Sequence, residues 1–475
     1  MARAFPVFRV RNRSGKKGAL KSLLMDNSIL PREKSPFLIQ ALEEADREKP
    51  EDYKRYFDRL FPLFRSITGD GARKTHDILS EIMPLERIET PSGSQVFDWT
   101  VPKEWVVREA YVVTPKGERI LDIRDSNLHL VNYSQPFRGK VSREELDKRL
   151  HSLPELPDAI PYVISYYAPR WGFCLTQNMR DRLEDGEYEV VIDTEHIDGS
   201  MTISEAVLPG EEKTEVLITA YTCHPSMANH ELSGPLVTSF VHRRLASLPK
   251  RRLTYRFVYA PETIGSITYL SLRGEHLLKN LAAGYVCNSL GMPTHFTCKK
   301  TRRENSLSDR AALCALPFFG GKELQVREFF PSHGSDERQY NSPGFNLPVG
   351  VLARTIYGEY PEYHTSLDNP DFISFEALAE SADAIFAVCS VLDKNAVYER
   401  TMPYCEPFMT KHGLYPTLSG RRKIEDYSKG MMWLLNYADG EHDLLSVAER
   451  SGFDFWMLDD IARVCLDAGI IRLKK

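Results

Sequence analysis

No apolar run in this chain of 475 residues approaches the ~20 residues that cross a bilayer, so a membrane span is not expected. Paired cysteines are also missing. The eight cysteines (Cys174, Cys223, Cys287, Cys298, Cys314, Cys389, Cys405 and Cys465) are scattered with no CxxC among them. That spacing reads as reduced, mostly buried thiols of a cytoplasmic protein. An excess of one charge is lacking as well: 61 Lys and Arg stand against 66 Asp and Glu, a formal net charge of −5. Such a balance gives no general reason to expect nucleic acid or an anionic membrane as partner. The first residues, MARAFPVFRVRNRSGKKGALK, are basic but have no apolar h-region, so no secretory signal is read there.

What is present is the composition of a globular protein, 42% hydrophobic and 27% charged, in a chain long enough for two or three domains. Residues 1–50 are polar and weakly periodic and read as a solvated arm. Residues 51–95 show helical apolar spacing on both sides of Thr68-Gly69-Asp70-Gly71, which predicts two helices joined by a turn. Residues 96–207 alternate apolar and polar positions around Pro-Lys-Gly and Asp-Gly turns, the pattern of a β-rich module. In residues 208–404 apolar strands such as EVLITAYT and LTYRFVYA alternate with helical stretches, which predicts an α/β domain with a mixed, mostly parallel sheet flanked by helices. Residues 405–475 carry short helices, a turn at Ser451-Gly452-Phe453, a further helix and a terminal strand, the order of a winged helix-turn-helix. Its candidate recognition helix bears Asp454, Asp459 and Asp460, which would repel phosphate; an interaction or homo-oligomerisation role is expected there instead of nucleic-acid binding.

Catalytic groups of open α/β sheets lie just past the carboxyl ends of strands. His224 follows EVLITAYTC and Glu262 follows LTYRFVYAP, so a parallel sheet brings them to one edge. His230 lies six residues beyond His224, and His364 stands in GEYPEYHTSLDN. Asp336 and Glu337 stand in GSDERQYNSPGFNLPVG. A lone histidine after a strand is more often a hydrogen-bonded loop residue; three such groups at equivalent places are harder to read that way.

In order along the chain, CHPSMANHELSG, APETIGSITYL, SDERQYNSPGFNLPVG and YPEYHTSLDN resemble the aminopeptidase-like proteins related to the co-catalytic zinc aminopeptidases. RSITGDG, FDWTVPKEW, LVNYSQPF and YYAPRWGFCL are similar to the subgroup that has an inserted β-rich module and a terminal winged helix. The resemblance runs from about residue 54 to the end. It implies a zinc-dependent hydrolase of a peptide or amide bond, with a small peptide or amide-containing metabolite as substrate. In that family two zinc ions share a bridging aspartate, and a glutamate acts as general base. His224 and His364 match the first and last histidines of the motif, and Glu262 matches the acidic motif as ligand or base. Two positions depart from the pattern: His230 occupies the place of the bridging aspartate, and Met292 stands where relatives carry an acid.

One imidazole lone pair cannot bridge two ions, and a thioether is a poor zinc ligand beside carboxylate or imidazole. The resemblance therefore implies one zinc ion instead of two, held by His364, Glu262 and one or both of His224 and His230. Glu231 or Glu337 would then serve as base. Asp336 is expected to orient a histidine ligand, and Tyr363 and Arg338 to line the pocket. Arg65 and Arg170 are candidates for gripping a substrate carboxylate, and His295 and His333 for replacing the missing acids. Two further readings stay open: a biosynthetic enzyme acting on a small metabolite amide, and a non-catalytic scaffold with a degenerate metal site.

Overall fold

The computed structural model describes residues 27–330, 334–414 and 424–474. Its centre is a nine-stranded sheet, whose strands we number in chain order: β1 Asn27–Ile29, β2 Glu86–Pro91, β3 Ser200–Leu208, β4 Glu215–Tyr221, β5 Thr254–Ala260, β6 Leu281–Cys287, β7 Thr297–Lys299, β8 Leu324–Arg327 and β9 Val349–Ala353. They lie in the order β1-β8-β7-β9-β6-β4-β5-β3-β2. The middle four, β9, β6, β4 and β5, are parallel neighbours. Antiparallel partners extend the sheet on either side, β3 beside β5 and β7 beside β9.

The central strands are apolar throughout because both faces are covered. Along β4, Val216, Ile218 and Ala220 enter one core, with Leu236 and Phe240 of helix Ser233–Ser247 and Ile385 and Val388 of helix Phe375–Lys394. The intervening Leu217 and Tyr221 enter the other core, with Ile267 and Leu270 of helix Ile264–Asn280 and with Trp105 and Phe173 of the inserted module. Helix Pro50–Leu60 shows the same logic at helical period. Proline stands in its first turn, and Tyr53, Tyr56, Phe57 and Leu60 form the buried stripe.

Three boundaries differ from those read in the sequence, the last being the terminal domain, whose sheet takes in Val397–Arg400 ahead of the expected start at 405. From residue 27 onward the expected arm is packed: Ser35 caps helix Pro36–Leu42, and Leu38, Ala41 and Leu42 are buried in the core. Residues 1–26, which hold the basic cluster, lie outside the described residues. The β-rich segment loses its last strand to the main sheet, since β3 pairs with β2 and β5. The inserted module proper is an antiparallel sheet of Arg119–Ile120, Glu104–Val113, Glu187–Ile197 and Phe137–Ser142. Its connecting segment, residues 152–172, reaches over to the sheet rim, where Pro161 bridges to Thr365.

The terminal domain has strands Val397–Arg400, Asp439–Asp443 and Ile471–Leu473 in one sheet, with helices Ile424–Tyr437, Leu444–Ser451 and Phe455–Asp467. The last helix lies against helices Pro36–Leu42 and Phe375–Lys394, and its Trp456 Nε1 donates to Ser390 Oγ (3.2 Å). Asp454 caps this helix through the Met457 N–H, and Asp459 faces Lys394 at 3.5 Å. The acids that counted against phosphate binding in the sequence therefore serve the helix and its docking. Among the described residues no helix is long and apolar enough to cross a membrane.

Candidate metal centre

His224 lies three residues past the end of β4, and Glu262 two past the end of β5, where Tyr221 and Ala260 are register partners. After His224 the chain makes a single π-turn, Ala228–Leu232, that carries His230 inward and runs directly into helix Ser233–Ser247. Gly234 permits this approach, because a Cβ there would stand 2.3 Å from the Cys287 carbonyl oxygen. His364 comes from the long segment after β9. It holds φ 57°, and its carbonyl accepts the N–H of Tyr162 from the inserted module (2.8 Å). Ser226 (φ 48°), Thr263 (φ 64°) and Ser289 (φ 51°) are likewise left-handed in neighbouring rim turns. Such strain in non-glycine residues gathers where surrounding structure holds a functional site.

The three imidazoles converge. Ring centroids of His224, His230 and His364 are separated by 4.9, 5.2 and 4.8 Å, and each offers a nitrogen within 4.8 Å of the others. Burial, reinforced by the neighbouring imidazoles, pushes the pKa values of His230 and His364 well below the usual range, so both are neutral with lone pairs available. Among the described residues His364 Nε2 is buried with no hydrogen-bond partner, and the His230 ring nitrogens meet the Tyr221 hydroxyl alone, at 3.3–3.4 Å. Leaving a buried polar atom unsatisfied costs about 1–3 kcal/mol. The donor set suits a divalent ion, since three imidazole nitrogens lie close enough together to be drawn onto one.

At His224 burial works against the charged ring, but the Glu231 carboxylate outweighs it and the pKa is raised. Glu231 Oε2 lies 2.5 Å from His224 Nδ1 and also accepts the His224 N–H. That leaves Nε2 to face the other two rings. Glu262 is part-exposed, with Oε2 3.6 Å from His224 Nε2 and Oε1 accepting from Ser335 Oγ (2.7 Å). The glutamate thus sits beside the histidine trio and not among its converging atoms.

Several sequence expectations change here. Glu231 is fully buried and engaged by His224 and Arg65, so it is a holder of His224 and not a base open to substrate. Arg65 is fully buried on Glu231 (3.1 Å), the His224 carbonyl (2.8 Å) and the Leu60 carbonyl (2.6 Å), with Nη2 unpartnered among the described residues; it does not line the cavity where a substrate carboxylate would meet it. Glu337 is buried on Lys299 Nζ (2.7 Å) and the Ser335 N–H (2.9 Å), which removes it as a base. Asp336 does not orient a histidine. Its Oδ1 accepts the Thr263 N–H (2.7 Å) and Ser266 Oγ (3.0 Å), pinning the left-handed turn that presents Glu262. Burial, with the nearby Glu262 charge, raises the Asp336 carboxyl.

Arg170 donates to the Ile164 carbonyl (2.9 Å) and Arg338 to that of Ser335 (3.2 Å); neither lines the cavity. Tyr363 stacks on His364 at 3.9 Å and 14°, and so braces a candidate ligand. His295 is absent from the converging groups, and His333 lies outside the described residues.

Sequence reasoning missed the contribution of the inserted module. A cavity of about 170 Å³ opens onto His224, Glu262 and His364, with Cys223 and Thr263 also in its wall. Its remaining lining, Tyr162, Ile164, Tyr166 and Tyr167, belongs to the module's connecting segment. The Tyr162 and Tyr166 hydroxyls are hydrogen-bonded to each other (2.7 Å). The YYAPRW stretch signals only its aromatic content, and nothing local says that it folds over the sheet rim.

The chain matches two family models, a domain of unknown function (DUF4910) over residues 54–395 and a winged helix-turn-helix over residues 396–473. A Clostridium acetobutylicum protein, named for polysaccharide biosynthesis and an aminopeptidase-like domain, is 45% identical over 398 residues; the match covers 84% of this chain and 91% of that protein. A crystal structure from the same organism, named as a peptidase, superposes with TM-score 0.84 at 41% identity, covering 92% of this chain and 98% of that one. A zinc aminopeptidase from Bacillus subtilis shares the fold at TM-score 0.53 and 14% identity, over 72% of this chain and 94% of its own. A peptidase M28 precursor from Shewanella amazonensis does so at TM-score 0.51 and 13% identity, over 75% and 96%. This chain is a member of the DUF4910 family, with an aminopeptidase-like fold that ends in a winged helix-turn-helix domain.

Proposed function

We propose that the protein is a metal-dependent hydrolase of an amide bond, with one ion held by His224, His230 and His364. The observation that carries this reading is the convergence of three imidazoles, two buried and His364 half-buried with its Nε2 unpartnered among the described residues, beside a cavity lined by His224, His364 and Glu262. A bound divalent ion would supply a water of lowered pKa and polarisation of the scissile carbonyl.

The chain's own residues divide the remaining work. Glu231, backed by Arg65, keeps the His224 ring turned so that Nε2 faces the site. Glu262, free at Oε2 and at the cavity edge, takes the proton of the attacking water and passes it to the leaving nitrogen. Tyr162 and Tyr166 hold two hydroxyl protons and, among the described residues, one hydrogen bond between them, so one O–H remains to donate to the carbonyl oxygen as it gains charge.

The name of the Clostridium relative favours a second reading within the same chemistry, a biosynthetic step on a small metabolite amide. A scaffold role leaves the buried, unpartnered His364 Nε2 without explanation. The test is elemental analysis of untagged protein purified without chelator, followed by assay of amide cleavage before and after metal removal. About one ion per chain and metal-dependent cleavage are expected. Protein that takes up no zinc, manganese or cobalt overturns the reading.

A further inference from the structure

We infer that the amide is carried on a sugar ring: the site takes an N-acyl amino sugar, its acyl group in the cavity and its ring against Trp99 and Tyr167. This rests on the hydrolase reading above and names its substrate class.

The first argument is the charge of the cavity. Its lining holds no lysine or arginine and a single carboxylate, Glu262. A peptide cleaved from its amino end brings a free ammonium that needs an anion, and Glu262 is already committed as base. A free carboxylate would find no lysine or arginine among the lining residues, and it would compete with water and the scissile carbonyl for the bound ion. A neutral substrate leaves no charge unpaired.

The second argument is size. A volume of about 170 Å³ corresponds to roughly five or six waters at ~30 Å³ each. That admits a small acyl group and its amide nitrogen.

The third argument is the rim. Tyr167 lines the cavity yet is 54% exposed, and Trp99 beside it is 37% exposed. Their rings stand 5.3 Å apart at 74°, making a two-walled aromatic corner continuous with the cavity, and Ile164, 40% exposed, adjoins it. Trp99 belongs to the hairpin Gln95–Val96 and Trp99–Thr100. The turn residue of that hairpin, Phe97, rests edge-on against Phe345 of the main domain at 5.8 Å, so the corner is held in place. Exposed aromatics grouped beside a site mark ligand contact. A pyranose suits this corner because its C–H faces are apolar while its hydroxyls stay in water at the edges.

The reaction balances with water alone. The water oxygen bonds to the acyl carbon, the C–N bond breaks, and the proton taken by Glu262 ends on the sugar nitrogen, giving a carboxylic acid and a free amino sugar.

The test uses the full chain with two probes, methyl 2-acetamido-2-deoxyglucoside and leucine p-nitroanilide. Saturation-transfer NMR on metal-free and zinc-loaded protein should show binding of the sugar. Trp99→Ala and Tyr167→Ala should each weaken it about tenfold or more, while Tyr167→Phe, which keeps the ring, retains it; metal content and melting temperature stay unchanged in all three. Zinc-loaded protein should release acetate from the sugar and no p-nitroaniline. Cleavage of leucine p-nitroanilide but not of the sugar overturns the sugar assignment and leaves the hydrolase reading standing. Sugar bound at Trp99 but never cleaved by loaded protein overturns the hydrolase reading and leaves the ligand class. Absence of sugar binding, or binding indifferent to Trp99→Ala and Tyr167→Ala, overturns the inference.

Discussion

Glu231 Oε2 lies 2.5 Å from His224 Nδ1, and the opposite oxygen of the same carboxylate accepts from Arg65 Nε at 3.1 Å. All three side chains are buried. The arrangement fixes which nitrogen of His224 faces the site and keeps a negative charge behind the ring. A Glu231→Gln protein keeps the shape and loses that charge. Metal affinity should fall about 10–100-fold, the usual cost of removing a carboxylate behind a histidine ligand. Folding should lose roughly 3–5 kcal/mol, because Arg65 is left as a buried cation without its partner. Competition with a fluorescent zinc chelator and chemical denaturation measure the two effects, and wild-type values in both would remove Glu231 from this role.

His364 Nε2 has no partner among the described residues, so removing the ring should cost folding only its packing on Tyr363 and Tyr162 and metal binding far more. His364→Ala is expected to purify folded and with essentially no ion. His230→Asp tests the departure from the two-ion family pattern, since a carboxylate bridges two ions where one imidazole nitrogen cannot. Metal content measured by plasma emission should rise from about one ion toward two per chain. Unchanged content in both variants would place these residues outside the metal shell.

The tyrosine pair makes a non-additive prediction. Tyr162→Phe leaves Tyr166 with a hydroxyl proton and no partner, and Tyr166→Phe does the converse, so either single variant still has one O–H for the substrate carbonyl. Each should lose little rate, whereas Tyr162→Phe with Tyr166→Phe should lower kcat by about 10²–10³, the scale of one oxyanion donor, at unchanged metal content. Equal rates in the double variant and wild type would assign the pair to packing alone.

How much of this was readable before the structure follows from the range over which each feature is determined. His224 and Glu262 were legible because two apolar strands end just ahead of them, and parallel pairing carries both to one rim. His364 was legible only through its motif, since it sits in a long segment with no periodicity. The duties of Arg65, Glu231, Asp336 and Glu337 were not legible. A charged residue beside a site reads the same whether it meets substrate or a buried partner; here the decisive contacts join Arg65 to Glu231, Thr263 to Asp336 and Lys299 to Glu337, between segments far apart in the chain. The insert boundary was misplaced because strand Ser200–Leu208 continues the hairpin texture of the module while pairing on both sides within the main sheet. The tyrosine wall needed the Pro161–Thr365 bridge, which no local pattern announces.

Stability toward acid should depend on a histidine remote from the site. His242, on helix Ser233–Ser247, is buried edge-on against Phe257 at 5.1 Å, and its Nδ1 has no hydrogen-bond partner among the described residues. Burial, with the Arg251 charge adding to it, lowers its pKa to about 4 from the ordinary 6.5. Between these values the unfolded chain binds a proton that the folded chain refuses. Stability contributed by the neutral ring is therefore intact above pH ~6.5 and drains away as pH falls toward 4. At about 1.4 kcal/mol per unit, the loss reaches roughly 3 kcal/mol at pH 4. His242→Leu removes the titration while keeping an apolar side chain in the core. Urea denaturation of the two proteins at pH 7, 5.5 and 4.5 should show the gap between them moving in favour of the variant as pH falls. A gap that stays constant over that range would mean that His242 takes up its proton in the folded state, and the core around Phe257 would then have to admit a charge.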